Sequence, residues 1–264
     1  MLNKIYKLVF KSVKNISHNV RYLTFCVNGG ETLFFSPGQF ITLHINNSNK
    51  IFSRNYSIAN APAINNIIEF AISSIEKGEA SQFLLNIHRG ETVLATGPFG
   101  QMILLDELPK RYIFIATGIS ITPYRSMLKE LSKRLKLEEN LSVVFLLGIR
   151  YPDDLIYGQE FLDFAQTHPR FEFRVYYSRA PSQKSYEYEG YVQTAFKDLH
   201  PNPENDIVYL CGNLTMIEDV YTLLIKFGFD TKNIRGEEYV LTKYTSHIPS
   251  FEQPPSVTIQ SEHS

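Results

Sequence analysis

The sequence predicts two domains, an all-β antiparallel barrel or sandwich followed by a doubly wound α/β domain with a five-stranded parallel sheet. Three observations point there. Apolar residues alternate with period two through the first hundred residues, apolar runs alternate with helical patterns after "DELPK", and 264 residues suit one large domain or two ordinary ones. The change of pattern puts the boundary near Leu105–Lys110, giving domains at 1–104 and 105–240 and a tail at 241–264.

In "VRYLTFCV", Leu23, Phe25 and Val27 alternate with Tyr22, Thr24 and Cys26. "QFITLHI" sets Ile41, Leu43 and Ile45 against Phe40, Thr42 and His44, and "NIIEFAIS" places Ile68, Phe70 and Ile72 on one side. Between them "SRNYSIANAP" also has strand character, but carries Arg54, Tyr56 and Ser57 almost side by side. "GEASQFLLNI" predicts the first helix, with Ser81 as N-cap, and "GPFG" ends the strand "ETVLAT" in a tight turn. "RYIFIA" is a buried strand, and "TPYRSMLKELSKRL" is a helix whose apolar residues recur at helical spacing, with Thr122 and Pro123 suited to N-cap and N1. The strands "LSVVFLLGI", "FEFRVYYS", "DIVYLCG" and "NIRGEEYV" alternate with the helices "YGQEFLDFAQTH", "YVQTAFKDL" and "MIEDVYTLLIKFGF". This rhythm implies βαβ units and a parallel sheet covered on both faces.

Composition narrows the function classes. Lys+Arg 26 against Asp+Glu 27 lacks the basic excess of a generic nucleic-acid binder. No apolar run approaches the roughly 18 residues of a membrane span. The N-terminus scatters lysines through its apolar residues, so no secretory signal and a cytoplasmic location are expected. Two distant cysteines, Cys26 and Cys211, cannot hold a Cys₄ cluster, and the seven histidines show no HExxH spacing, so no metal site is expected.

A doubly wound sheet binds ligands at the carboxyl ends of its strands. Here these are Thr117–Gly118, Gly148–Arg150, Ser178–Arg179 and Cys211–Gly212. "ATGISITP" passes from strand to helix, where free N–H groups and the positive end of the helix dipole suit a phosphate. Arg150 and Arg179 at neighbouring strand ends have the fork geometry that matches phosphate, although a single arginine at such a place is ordinarily a solvated charge.

Seven motifs, in order over residues 5–240, resemble those of the plant-type ferredoxin–NADP reductase superfamily. "RNYS" resembles its RxYS flavin motif, "GEAS" its Gly-x-x-Ser, and "ATGISITPYRSML" its nucleotide loop. "GIRYPDDLIYGQEF", "YSRA", "VYLCGNLTM" and "GEEY" match later segments. The resemblance implies an FAD-binding Greek-key β-barrel joined to an NADP(H)-binding domain, with the flavin between them. In the RNYS segment, which includes Asn55, Tyr56 would stack on the flavin, Ser57 would bond near its N5, and Arg54 would meet the pyrophosphate. The N–H groups of Glu79, Ala80 and Ser81, after Gly78, would assist Arg54. Thr117 and Gly118 would face the cofactors. Arg150 and Arg179, beside Ser178, would take the adenosine 2′-phosphate, and Tyr191 would stack on adenine. Cys211, beside Gly212, and Glu237 would flank the nicotinamide, and Tyr239 would cover the second flavin face. Catalytic roles would fall to Ser57, Cys211, Glu237 and Tyr239.

The implied activity is electron exchange between NADP(H) and ferredoxin or flavodoxin, by a monomer needing neither nucleic acid nor membrane. The alternatives are an oxygenase reductase component or free-flavin reductase of the same superfamily and, from another class, a non-catalytic nucleotide-binding regulatory subunit. Three positions depart from the pattern: Ser120 replaces the second glycine of the nucleotide loop, Glu189 stands where a lysine often lies, and the chain continues past Tyr239. Glu238 competes with Glu237 for its role, Cys211 also suits a core position, and Tyr56 also suits a cross-strand pair. Lys4, Lys7, Lys11, Lys14 and Arg21, in a stretch without acids, suit either docking of an acidic carrier or protection of a strand edge.

Overall fold

A computed structural model describes residues 4–29, 31–47, 50–63, 65–74 and 78–236. Six strands form the first sheet: β1 (Ile5–Asn15), β2 (Val20–Val27), β3 (Phe40–Asn47), β4 (Lys50–Ser57), β5 (Ile67–Ser73) and β6 (Thr92–Phe99). Their order is β4-β3-β6-β1-β2-β5, and every pairing is antiparallel. β6 follows β5 in the chain yet lies between β3 and β1, the long return of a Greek key. The alternating residues Leu23, Phe25, Ile41, Leu43, Ile45 and Phe70 all face one core. Helix α1 (Glu79–Asn86) adds Ala80 and Leu84 to it. Gly78 is the N-cap residue of α1 and Ser81 lies inside its first turn, so the expected serine cap does not form. The two edge strands curl towards each other until the rings of Tyr56 and Phe70 stand 6.0 Å apart.

The second sheet is parallel throughout, in the order β10-β9-β8-β7-β11-β12. Its strands are β7 (Arg111–Thr117), β8 (Ser142–Ile149), β9 (Phe171–Tyr177), β10 (Glu187–Glu189), β11 (Asp206–Cys211) and β12 (Ile234–Gly236). The intervening helices are α2 (Thr122–Leu137), α3 (Gly158–Thr167), α4 (Phe196–Leu199) and α5 (Leu214–Lys226). β7 shows why its sequence is apolar throughout. Tyr112, Phe114 and Ala116 pack with α2 and α3 on one face, while Ile113 and Ile115 pack with α4 and α5 on the other.

Three further expectations change here. The sheet has six strands rather than five, because β10 has three residues and is too short to show a period. α2 begins one residue after its N-cap residue Ile121, because a 3₁₀ turn over Gly118–Ile121 precedes it; Thr122 instead donates to the carbonyl of Ile119 at 2.6 Å. The segment "YVQTAFKDL" is a 3₁₀ turn at Val192–Ala195 that runs into the short α4.

β10 is organised by one buried carboxylate. Glu187 accepts hydrogen bonds from the N–H groups of Gln183 (2.9 Å) and Lys184 (3.1 Å) and from the Tyr177 hydroxyl (3.1 Å). Burial pushes this carboxyl up, but these donors outweigh it and hold its pKa below the usual range. A depressed carboxylate contributes stability above its unfolded pKa and loses it as pH falls through the folded one. Glu187→Gln is therefore expected to cost about 1–3 kcal/mol at neutral pH. Urea titrations at neutral and acid pH should show that penalty vanishing in acid.

Candidate functional site

β4 pairs with β3 alone, so its second edge faces β5 across the gap where the barrel interior opens. Arg54 and Tyr56 lie opposite Leu43 and Ile41, two core residues, and so project from the inner sheet face. Asn55 and Ser57 lie opposite Thr42 and Phe40 on the other face, and the Thr42 hydroxyl donates to Asn55 Oδ1 at 2.8 Å. Even so, all four line one cleft of about 200 Å³, because it runs along the free edge of the strand. That geometry explains how Tyr56 and Ser57, on opposite faces of a period-two strand, reach the same space.

The far wall comes from Ala71, Ile72 and Ser73 of β5, and the floor from Ile119, Ser120, Thr122 and Cys211. The cleft is thus shared between the barrel and the carboxyl ends of β7 and β11. These two ends touch closely. The backbone N–H of Asn213 donates to Thr117 Oγ1 at 2.8 Å, and a Cβ at Gly212 would stand 2.2 Å from the same oxygen. Gly118, at φ +55, turns the chain from β7 into the 3₁₀ turn with open space beside its Cα. Cys211 is buried among core residues and lines the cleft as well.

Arg150, Ser178, Arg179 and Tyr191 lie outside this cleft. Arg150 follows β8 and Arg179 follows β9, and the N–H of Arg179 donates to the carbonyl of Arg150 at 3.1 Å, which holds the two residues side by side. Both arginines are exposed and neither has an ion pair among the described residues. Tyr191, 66% exposed, presents its ring to solvent just past β10. The Glu189 side chain accepts from the N–H of Ser182 at 3.2 Å. From Cys211 the strand ends therefore run across Thr117 and Gly148–Arg150 to Ser178–Arg179, a path suited to an extended dinucleotide. Gly78, Glu79, Ala80 and Ser81 stand at the start of α1, which packs against β3 and β4. Glu237 and Tyr239 lie outside the described residues.

Sequence reading did not assign the β5 wall, Ile119 or Thr122 to the site. The cleft lining suits a flat ring system with an apolar face and a polar edge. Tyr56, Ala71, Ile72 and Ile119 supply apolar surface, and Ser57, Ser73, Ser120 and Thr122 supply hydroxyls. An isoalloxazine has that character, so the residues present fit a flavin. Among the described residues, no group of three His, Cys, Asp or Glu could hold a metal ion, and no helix is long and apolar enough to cross a membrane.

Comparison with known proteins gives the same two halves. Residues 7–103 match the family described as oxidoreductase FAD-binding domain, and residues 114–222 match that described as oxidoreductase NAD-binding domain. A ferredoxin–NADP reductase B of Sorangium cellulosum is 30% identical over 86% of this chain and 95% of that protein. A glycine betaine monooxygenase reductase subunit of Pseudomonas aeruginosa is 26% identical over 87% of this chain but only 63% of its own length. Among solved structures, a ferredoxin NADP⁺ reductase from Neisseria gonorrhoeae with bound FAD and NADP superposes with a TM-score of 0.76. It is 20% identical, over 89% of this chain and 98% of that one, a likeness of fold.

Proposed function

Because this chain belongs to the ferredoxin–NADP reductase family, with an FAD-binding and an NAD-binding domain, we propose that it is an FAD-dependent reductase using NADPH and serving ferredoxin or flavodoxin. The observation that carries the reading is the single cleft shared by the free edge of β4 and the ends of β7 and β11. When bound there, a flavin supplies the exchange between two-electron hydride chemistry and one-electron transfer. In this reading Tyr56 offers the ring face and Ser57 a hydroxyl at the ring edge, while Arg54 and the start of α1 take the pyrophosphate. Thr117, Gly118, Cys211 and Gly212 shape the nicotinamide side, and the resemblance assigns Glu237 and Tyr239 to the same step. The domains divide at residues 104/105, and the protein works as a cytoplasmic monomer.

Arg150 and Arg179 carry the preference for NADPH, since two arginines at adjacent strand ends, without ion pairs among the described residues, suit the 2′-phosphate. A charged hydrogen bond is worth about 1.5–3 kcal/mol, so Arg179→Ala should lower kcat/KM for NADPH roughly 10- to 100-fold and leave NADH nearly unchanged. An unaltered ratio would remove Arg179 from that role.

The monooxygenase reductase relative favours a second reading, a component that feeds an oxygenase. The test is to reduce the flavoprotein with one equivalent of dithionite and mix it anaerobically with oxidised ferredoxin, flavodoxin or an oxygenase component. Fast reoxidation by ferredoxin or flavodoxin supports the first reading, and reoxidation by the oxygenase component alone supports the second.

A further inference from the structure

Helix α2 carries a cation that reaches out of its own domain. The Arg125 side chain is 21% exposed and lies one helical turn after Thr122, a lining residue of the cleft. Its Nε donates to Glu160 at 2.7 Å, and its Nη1 donates to the Tyr22 hydroxyl at 2.7 Å and to the Ala59 carbonyl at 2.9 Å. Glu69 is 3.8 Å from Nη1 and accepts a hydrogen bond from the Tyr22 hydroxyl. The guanidinium lies 5.2 Å from the Tyr22 ring centroid and 4.9 Å from that of Tyr157, and the two rings meet edge to face at 6.0 Å. Tyr22, Ala59 and Glu69 belong to the barrel, whereas Arg125, Tyr157 and Glu160 belong to the α/β domain.

The barrel partners are those next to the cleft. Ala59 follows Ser57 by two residues, Glu69 precedes Ala71 by two, and Tyr22 stands opposite Ala71 in the β2–β5 register. The adjacent α2 residue, Ser126, accepts a buried hydrogen bond from the Gly38 N–H at 2.8 Å, so this turn of α2 is one place where the domains meet. Burial opposes charge on Arg125, but the oxygens of Tyr22 and Glu160 outweigh it, and the pKa is raised. The group stays cationic at any working pH. Among the described residues the other cross-domain charge contact, His18 to Asp154 at 3.9 Å, has an exposed histidine and is worth little. Barrel residues Ile16, Val20 and Met102 also pack with the α/β core, but relative domain motion is the default unless an interface is large and hydrophobic.

We propose that Arg125 is a positioning residue for the redox step, holding the cleft edges of β4 and β5 in register with the start of α2. The inference rests on the reductase reading, and touches neither nucleotide in it. Two reacting groups displaced by about 1 Å lose roughly 100-fold in rate, so loosening this register should slow flavin reduction without weakening nucleotide binding.

The experiment compares full-length, FAD-loaded wild type with Arg125→Leu, Arg125→Lys and Tyr22→Phe. Single-turnover flavin reduction is followed at saturating NADPH, and thermal unfolding is followed by calorimetry. Arg125→Leu should reduce flavin about 10- to 100-fold more slowly at unchanged NADPH affinity, and its domains should unfold in two separated transitions. Arg125→Lys, which keeps the charge but not the fork, should recover part of the rate. Tyr22→Phe keeps the ring and loses one acceptor, so it should slow reduction less than Arg125→Leu does, and it decides the matter if the leucine variant does not fold. Reoxidation of photoreduced flavin by ferricyanide, which needs only the flavin domain, should be equal in all. Reduction rates equal to wild type, or a loss confined to NADPH affinity, would overturn the proposal even if unfolding changed. A wild type that neither NADPH nor NADH can reduce would instead overturn the reductase reading.

Discussion

Gly212→Val is expected to slow reduction of bound flavin by NADPH by about 100-fold or more while the protein keeps its flavin. A Cβ at Gly212 would stand 2.2 Å from Thr117 Oγ1, 3.0 Å from the Thr117 backbone nitrogen and 2.8 Å from the Met216 methyl. The backbone nitrogen cannot rotate aside, so the ends of β7 and β11 must part. That movement breaks the Asn213–Thr117 hydrogen bond and displaces Cys211 from the cleft floor. The walls built from β4 and β5 belong to the other domain and stay in place. The overpacking itself should cost about 1–3 kcal/mol, too little to unfold a domain of ordinary stability. Flavin absorbance per mole of protein and stopped-flow reduction separate the two effects.

Asp206→Ala is expected to do the opposite, lowering stability by about 3–5 kcal/mol with kcat unchanged below the unfolding transition. Asp206 is 3% exposed at the start of β11. It accepts from Arg111 Nε at 3.0 Å and Nη2 at 2.5 Å, and from the N–H of Asn202 at 2.8 Å. Removing it leaves the half-buried Arg111 with only the carbonyls of Leu199 and His200, 3.2 and 3.3 Å away. This pair ties together the amino ends of β7 and β11, the sheet margin opposite the cleft. Urea denaturation should show the loss, and Asp206→Asn, which keeps the shape, should lose less. Together the two variants separate a sheet end that stabilises from one that takes part in the reaction.

Much of this architecture was legible in the residues. Leu23, Phe25, Ile41 and Leu43 announced the barrel through period two, and the doubly covered strand 111–117 announced a parallel sheet by being apolar on both faces. What escaped depends on short or distant relations. β10 is held by the carboxylate of Glu187 rather than by an apolar pattern. The β5 wall of the cleft exists because β4 and β5, at opposite ends of the strand order, curl together. No local pattern encodes that. Nothing local on α2 singles out Arg125, since its partner Tyr22 lies 103 positions away. The gathering of Arg54 to Ser57 in one cleft was legible only through the family motif, because alternation alone assigns them to two faces.

The central claim, that the cleft between β4 and the ends of β7 and β11 holds a flavin reduced by NADPH, is tested most directly by anaerobic stopped-flow mixing. Purified protein supplied with FAD should be yellow, and its flavin absorbance should bleach on mixing with NADPH, faster than with NADH at equal concentration. A colourless protein, or a bound flavin that neither nucleotide bleaches, would contradict the account.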